Sequence, residues 1–349
     1  MTKMLYPFLI VAALALVGFL GGAVASLQVV FGIVIPYLAI IAFVGGFAYR
    51  VVKWASSPVP FRITTTTGQQ RSLPWIKANN LEAPADKLGV LGRMALEVLV
   101  FRSLFRNTSA ELRGKRLIYG EEKLLWAGGL LFHYSFLIII LRHTRFFVEP
   151  VPFFVPWLQA VDGFLQIGVP VMYLTTAALA VALLFLFARR VVMPQIRYVS
   201  LPSDYFPLFL LLGIGTTGAL MRHFFRVDIV AVKELALGLA GLQPGAALAI
   251  LNGIGPLFYS HLFLVSALLA YFPLSKLMHA GGIFLSPTRN LANDSRRRRH
   301  VNPWNYPVPV HTYAEWEEEF KDKLVAADLP LDEDLHKEEE MVVQGGAHA

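Results

Sequence analysis

Long apolar runs alternate with short polar or basic segments along the first 280 or so residues, and the chain beyond them is polar. The runs lie near 4–24, 27–49, 123–142, 168–189, 205–222 and 250–278. Several reach the roughly 20 residues that an α-helix needs to cross about 30 Å of hydrocarbon. The pattern predicts an all-α, polytopic membrane helix bundle with about six transmembrane helices and an extended C-terminal tail. It divides into an N-terminal transmembrane hairpin (1–50), a basic loop (51–122), a four-helix core (123–280) and the tail (281–349). Composition agrees, with 56% hydrophobic residues, 16% charged residues and a mean hydropathy of +0.55.

Lysine and arginine set the expected orientation, because they collect on the cytoplasmic side of a membrane. Segment 50–123 holds thirteen of them, from Arg50, Lys53 and Arg62 to Lys115, Arg116 and Lys123, and Arg189, Arg190 and Arg197 follow the fourth run. Arg289 and the run Arg296 to Arg299 follow the sixth run. These segments are expected to be cytoplasmic, which puts both termini on one side of the cytoplasmic (inner) membrane. Arg142, Arg145, Arg222, Arg226 and Lys233 fall at outward ends, against the rule, and so are candidates for another purpose. The net charge of +7 then reads as an orientation signal and implies no nucleic-acid partner.

The first run, with Lys3 before it and Ala23-Val24-Ala25 after it, has features of a cleavable signal peptide. The next run follows at once, so a retained hairpin is the simpler expectation. Residues 86–108 alternate apolar and basic positions and predict an amphipathic helix along the cytoplasmic interface. Residues 227–247, broken by Gly and Pro, predict an outer interfacial helix. The tail carries an amphipathic piece from Tyr313 to Ala326 and an acidic end from Asp332 to Glu340. It has too little apolar content for its own core and is expected to wrap a partner or stay partly disordered.

The chain has no cysteine. It therefore cannot hold an iron–sulfur cluster, attach a c-type haem or form a disulfide. Against that background four histidines stand out. His133 and His143 lie ten residues apart in one apolar run, and His261 and His279 eighteen apart in another. An ionisable residue in lipid is costly enough to signal function, and neutral imidazole is a common metal ligand. Four of them on two antiparallel helices point to two stacked haems. On a continuous helix, eighteen residues make five whole turns and about 27 Å of rise, whereas ten make about 15 Å. Antiparallel running matches His133 with His279 toward the cytoplasm and His143 with His261 toward the outside. The rises differ by about 12 Å, so this pairing demands helix tilt and leaning imidazoles. Zinc would require three or four ligands at one point. A proton-coupled transporter would require carboxylates in the spans, which hold essentially no Asp or Glu. A cofactor-free assembly scaffold would leave four such histidines only to bridge helices.

The spacings resemble those of the nitrate reductase gamma subunit family of dihaem b cytochromes. Phe101-Arg102-Ser103-Leu104-Phe105-Arg106-Asn107, His133-Tyr134-Ser135-Phe136 and Leu141-Arg142-His143, with Ser286-Pro287-Thr288-Arg289-Asn290 and Arg299 to Trp304 in the tail, more closely resemble its DsrM-type members. Those are membrane subunits of the DsrMKJOP complexes of dissimilatory sulfur metabolism. The resemblance covers most of the chain. It implies two haem b groups with His133, His143, His261 and His279 as axial ligands in the pairs above, and menaquinone or another quinone as substrate. It also implies a cytoplasmic iron–sulfur partner resembling DsrK, and further membrane and periplasmic subunits of that complex. The alternative is the membrane cytochrome of a heterodisulfide-reductase-type or nitrate-reductase-type complex.

Secondary candidates follow. Arg222 and His223, at the outer end of the fifth run, are placed at a quinone pocket, where His223 would donate to a quinone oxygen; an interfacial histidine bonded to water is the plainer alternative. Arg142, next to His143, is placed on a haem propionate. Gly128 and Gly129 would leave room for a porphyrin edge or serve close helix packing. Met221 is assigned to packing, and His300, His311, His336 and His348 to the solvated tail.

Overall fold

The computed structural model describes residues 2–58, 68–163, 173–285, 290–297, 307, 309–332 and 334. Arg62, residues 164–172 with the first five positions of the fourth expected span, the segment from Ser286 to Arg289, the residues from Arg298 to Trp304, and the tail beyond Asp334 fall outside that set. Two compact units are present, residues 1–298 and 299–349.

Six helical segments are long and apolar enough to cross a membrane, and the chain is a multi-pass membrane protein. Helix α1 spans Thr2–Ala23, and a 3-10 turn and a π-turn lead into α2, Ile35–Ala55. Between the second and third spans come α3 (Lys87–Val100), α4 (Arg102–Phe105) and an antiparallel ribbon of β1 (Thr108–Arg113) and β2 (Arg116–Glu121). Then follow α5 (Lys123–His143), α6 (Phe154–Asp162), α7 (Leu174–Val192), α8 (Pro194–Val199) and α9 (Pro202–His223). Helices α10 (Ile229–Ala240) and α11 (Pro244–Leu248) precede the last span, α12 (Pro256–Tyr271), and α13 (His279–Leu285). In the second unit α14 covers Tyr313–Ala326. Thr312 and Glu315 close a capping box at its start, which explains why that piece is helical despite having no core.

Backbone packing runs α5 to α7, α7 to α9, α9 to α12, with α1 against both α9 and α12 and α2 against α12. Helix α1 is a full member of the bundle. Ser260 Oγ donates to Ala15 O at 2.8 Å, and a Cβ on Gly18 or Gly22 would lie within 3 Å of α12 atoms, the close approach that small residues permit in a membrane. Helices α5 and α12 are not among the closely packed pairs of the described residues.

Three sequence expectations change. The amphipathic helix expected over 86–108 ends at Val100, because Phe101 adopts φ 51°, a left-handed backbone that a helix cannot continue through. The chain then turns into α4 and the ribbon. The ribbon's cross-strand pairs Leu112↔Leu117 and Ala110↔Tyr119 put Leu112, Leu117 and Tyr119, all exposed, on one face. The outer segment 227–247 is two helices separated at Gly241 to Gln243. Leu235, Ala247 and Leu251 of this region are buried in one cluster with Ile33 and Tyr259, so it packs onto the bundle.

The third change concerns the last span, expected to be continuous over 250–278. Helix α12 stops at Tyr271, and the chain passes through 3-10 turns at Phe272–Leu274 and Lys276–Met278 before α13 begins at His279. Pro273 contributes by lacking the N–H that would continue the ladder; Phe272 before it keeps helical angles, and the backbone turns extended at Ser275, with ψ 177°. Helix α2 backs this break. Phe43 meets Phe272 edge-on at 5.4 Å, and a Cβ on Gly46 would sit 2.7 Å from Pro273 Cβ. Gly46→Ala is therefore expected to cost about 1–3 kcal/mol by overpacking. Gly45→Ala, where nothing lies within 4 Å, should be neutral. Thermal unfolding of the two variants in detergent checks this, and equal melting temperatures would exclude the contact.

Candidate functional site

The break brings His279 beside His133. Their ring centroids are 6.0 Å apart at an interplanar angle of 82°. Each imidazole is fixed by its Nδ1, 2.8 Å from Gly129 O for His133 and 2.8 Å from Lys276 O for His279. A carbonyl oxygen only accepts, so Nδ1 carries the proton and Nε2 presents its lone pair. Phe101 and Phe132 meet the His133 ring edge-on, each at 4.9 Å. Phe101 is held there because its left-handed elbow turns the α3 and α4 carbonyls toward α5. Tyr134 donates to Leu99 O, Trp126 to Val100 O and Lys123 to Phe105 O.

Three turns further along α5, His143 Nδ1 lies 2.7 Å from Ile139 O. The fourth of these histidines, His261, lies on α12. The His261 Nδ1 is 2.9 Å from Thr217 Oγ1 on α9. The helical stretch from His261 to Tyr271 and the stretch from His133 to His143 both rise about 15 Å. The rise calculated for one straight helix therefore does not apply beyond Tyr271. The eighteen-residue spacing is ten residues of helix followed by turns, and His261 and His279 do not share one helix face.

The C-terminal ends of α5 and α9 and the N-terminal end of α7 carry a charged cluster. Arg142 forms an ion pair with Asp162, and Asp162 also accepts from the Thr175 N–H at 2.8 Å and the Thr175 hydroxyl at 2.7 Å. The Arg142 guanidinium lies 3.9 Å from the Tyr173 ring centroid and that of Arg222 lies 4.1 Å from it, both within cation–π range. Arg142, placed by the sequence on a cofactor carboxylate, thus has a protein carboxylate as partner, while its Nε is buried without an acceptor. His223 Nε2 is likewise buried and unpartnered. Arg145 donates to Gln159 at 3.0 Å. Gly128 serves packing, since a Cβ there would strike the Phe185 ring of α7 at 2.5 Å.

At the basic end Asp204, in the first turn of α9, accepts from Lys276 at 2.6 Å and from Leu201 N–H at 2.9 Å. Lys276 is the residue whose carbonyl holds His279. Asp162, Tyr173, Thr217 and Lys276 had no role in the sequence reading. Asp162 alone carried a visible signal, as a single carboxylate between apolar stretches. Among the described residues no group of three or more His, Cys, Asp or Glu converges as a zinc-type site would.

A multi-pass bundle that carries four oriented imidazoles, two of them side by side, defines the class. The chain matches the nitrate reductase gamma subunit family over residues 90–296 and belongs to that family. It is 48% identical over 280 residues to the Hdr-like menaquinol oxidoreductase cytochrome b-like subunit of Archaeoglobus fulgidus, covering 79% of this chain and 84% of that protein. It is 41% identical over 284 residues to the protein of the same description from Archaeoglobus profundus, covering 79% and 83% respectively.

Removing one partner of a buried ion pair strands the other charge. Asp162→Ala is expected to lower stability by about 3–5 kcal/mol. The double variant Asp162→Ala/Arg142→Met should recover most of that loss. Thermal unfolding of the single and double variants measures the coupling, and additive losses would show that the pair carries none.

Proposed function

We propose that this chain is a membrane cytochrome b subunit that holds two b haems and joins a membrane quinol to a cytoplasmic iron–sulfur partner. His133 and His279 are the axial ligands toward the cytoplasm, and His143 and His261 those toward the outside. The carrying observation is the 6.0 Å centroid separation of His133 and His279. Two metal–nitrogen bonds of about 2 Å, plus roughly 1.1 Å from each nitrogen to its ring centre, total about 6.2 Å for imidazoles sharing one metal ion. Support also comes from the second partners of all four Nδ1 atoms, the arrangement that metal-ligating histidines adopt, and from the distance kept between α5 and α12. Bound haems would supply one-electron carriage across the membrane.

The protein's own groups supply orientation and polarity. Arg142, Arg222 and His223 offer donors at the outer end, where Arg142 Nε and His223 Nε2 lack protein partners. A haem propionate suits Arg142 and a quinone oxygen suits His223. The relatives' description as menaquinol oxidoreductase subunits favours menaquinol. Positive-inside charge places the basic loop and the tail in the cytoplasm, where the tail docks the partner. We assign that partner to the DsrK-like class and the complex to dissimilatory sulfur metabolism. A second reading, the membrane subunit of a heterodisulfide-reductase-type complex, is favoured by the same relatives, both described as Hdr-like.

A pyridine haemochrome assay on the purified chain is expected to count two b haems, and a menaquinol analogue should reduce them. His133→Ala and His279→Ala should each remove one and the same haem, and His143→Ala and His261→Ala the other. Loss of different haems within a pair would overturn the assignment, and a folded preparation without haem would overturn the cytochrome reading. Cutting the chain after about residue 285 is expected to leave haem content unchanged and release the iron–sulfur partner from detergent-solubilised complex. Co-purification of the partner with the truncated chain would refute the docking role of the tail.

A further inference from the structure

Three of the four imidazoles are anchored within their own helical segments. His133 and His143 reach carbonyls four residues back, and His279 reaches one three residues back. His261 alone is anchored from another helix, where the Thr217 hydroxyl meets its Nδ1 and the Ile214 carbonyl of the same helix also accepts from it. Thr217 Oγ1 lies 2.9 Å from Gly213 O, 3.0 Å from Ile214 O and 2.9 Å from His261 Nδ1. The hydroxyl has one hydrogen and two lone pairs. Both carbonyls can only accept, so the hydrogen turns back toward them, the back-bonding habit of threonine in a helix. The oxygen therefore receives the Nδ1–H of His261. Thr217 is buried at 8% exposure, so no water competes. Its neighbour Gly218 leaves the His261 ring room to lie against α9, since a Cβ there would be 3.4 Å from Cε1.

A hydroxyl oxygen is a weaker acceptor than a peptide carbonyl, and the acceptor behind a ligating imidazole sets how much electron density that imidazole offers. We infer that Thr217 is a positioning residue that locks His261 in the Nδ1–H tautomer and, as one of its acceptors, takes part in setting the potential of the outer centre. The inference rests on the proposed ligand role of His143 and His261. It makes α9, which also carries Arg222 and His223 six residues or fewer beyond Thr217, the element that ties the outer pocket to one centre and not to the other.

The test is redox potentiometry of the full-length, haem-loaded protein, following the α-band of each b haem and the electron paramagnetic resonance of its ferric form. Thr217→Val removes the acceptor with little change of shape. It is expected to keep two haems and to move one of the two potentials in the positive direction. Thr217→Ala, a second way to delete the hydroxyl, should shift the same centre in the same direction. Thr217→Ser should restore the original value, and Thr216→Val, at an exposed neighbouring position, should change neither. Unmoved potentials in both deletion variants, or equal movement of both centres, would overturn the inference. A wild-type chain without two b haems would instead remove the ligand reading on which it rests.

Discussion

A proline cannot donate to the helix ladder, and its ring crowds the carbonyl four residues back. Helix α12 ends at Tyr271 beside Pro273, and the next seven residues, two 3-10 turns on either side of Ser275, set His279 opposite His133. On an unbroken helix His279 would lie about 12 Å further along the axis, and its imidazole would have no partner on α5. The break needs backing, because a chain that leaves a helix near a membrane boundary must still satisfy its carbonyls. That backing comes from α2. Gly46 admits the Pro273 ring, Phe43 meets Phe272, and Gly281 of α13 closes on Phe47. The N-terminal hairpin is thus a structural wall behind the turn that presents His279.

The two ends of the bundle solve different electrostatic problems. Around His133 the neighbours are phenylalanines, and the polar groups of the α3–α4 elbow are consumed by donors from α5. A centre there would sit among aromatic rings with few titratable groups beyond the Asp204–Lys276 pair. Around His143 the protein places Arg142, Asp162, Tyr173, Arg222 and His223 together. Two guanidiniums share one aromatic ring, and one of them pairs with a buried carboxylate, an arrangement that concentrates positive charge against low-dielectric surroundings. Quinol oxidation releases protons as well as electrons, so under the proposed function the end with polar groups is the one suited to it.

Most of the membrane architecture was legible because lipid imposes a length and a polarity that few other environments demand. The six spans, the apolar hairpin at the start and the α14 capping pattern are all written in local sequence. What sequence could not convey was local backbone geometry with distant causes. Phe101 in a left-handed elbow depends on donors from α5. The break at Pro273 could be suspected from the proline itself, yet many membrane helices absorb a proline with a kink. The antiparallel pairing His133 with His279 was derivable from orientation alone, although the rise argument that accompanied it assumed a straight helix. Thr217 carried no signal, because its partner is forty-four positions away on another helix. Asp162 lay outside the runs read as spans, so its pairing with Arg142 went unseen.

The anchoring of the histidines also has a mechanical side. An imidazole tied to its own helix moves with that helix, and its ring orientation survives small shifts of its neighbours. His261 has no such independence, because a displacement of α9 relative to α12 lengthens the Thr217 contact directly. Hydrogen bonds weaken steeply beyond about 3.2 Å, so a shift of a few tenths of an ångström suffices to alter the partner of that one ring. Helix α9 is packed by α7 on one side and by α1 and α12 on the other, and Val11 of α1 sits in one cluster with Leu210 and Leu264. The same hairpin that walls the turn at His279 therefore also holds α9 at the distance His261 needs, and both His279 and His261 depend on helices that carry none of the four histidines.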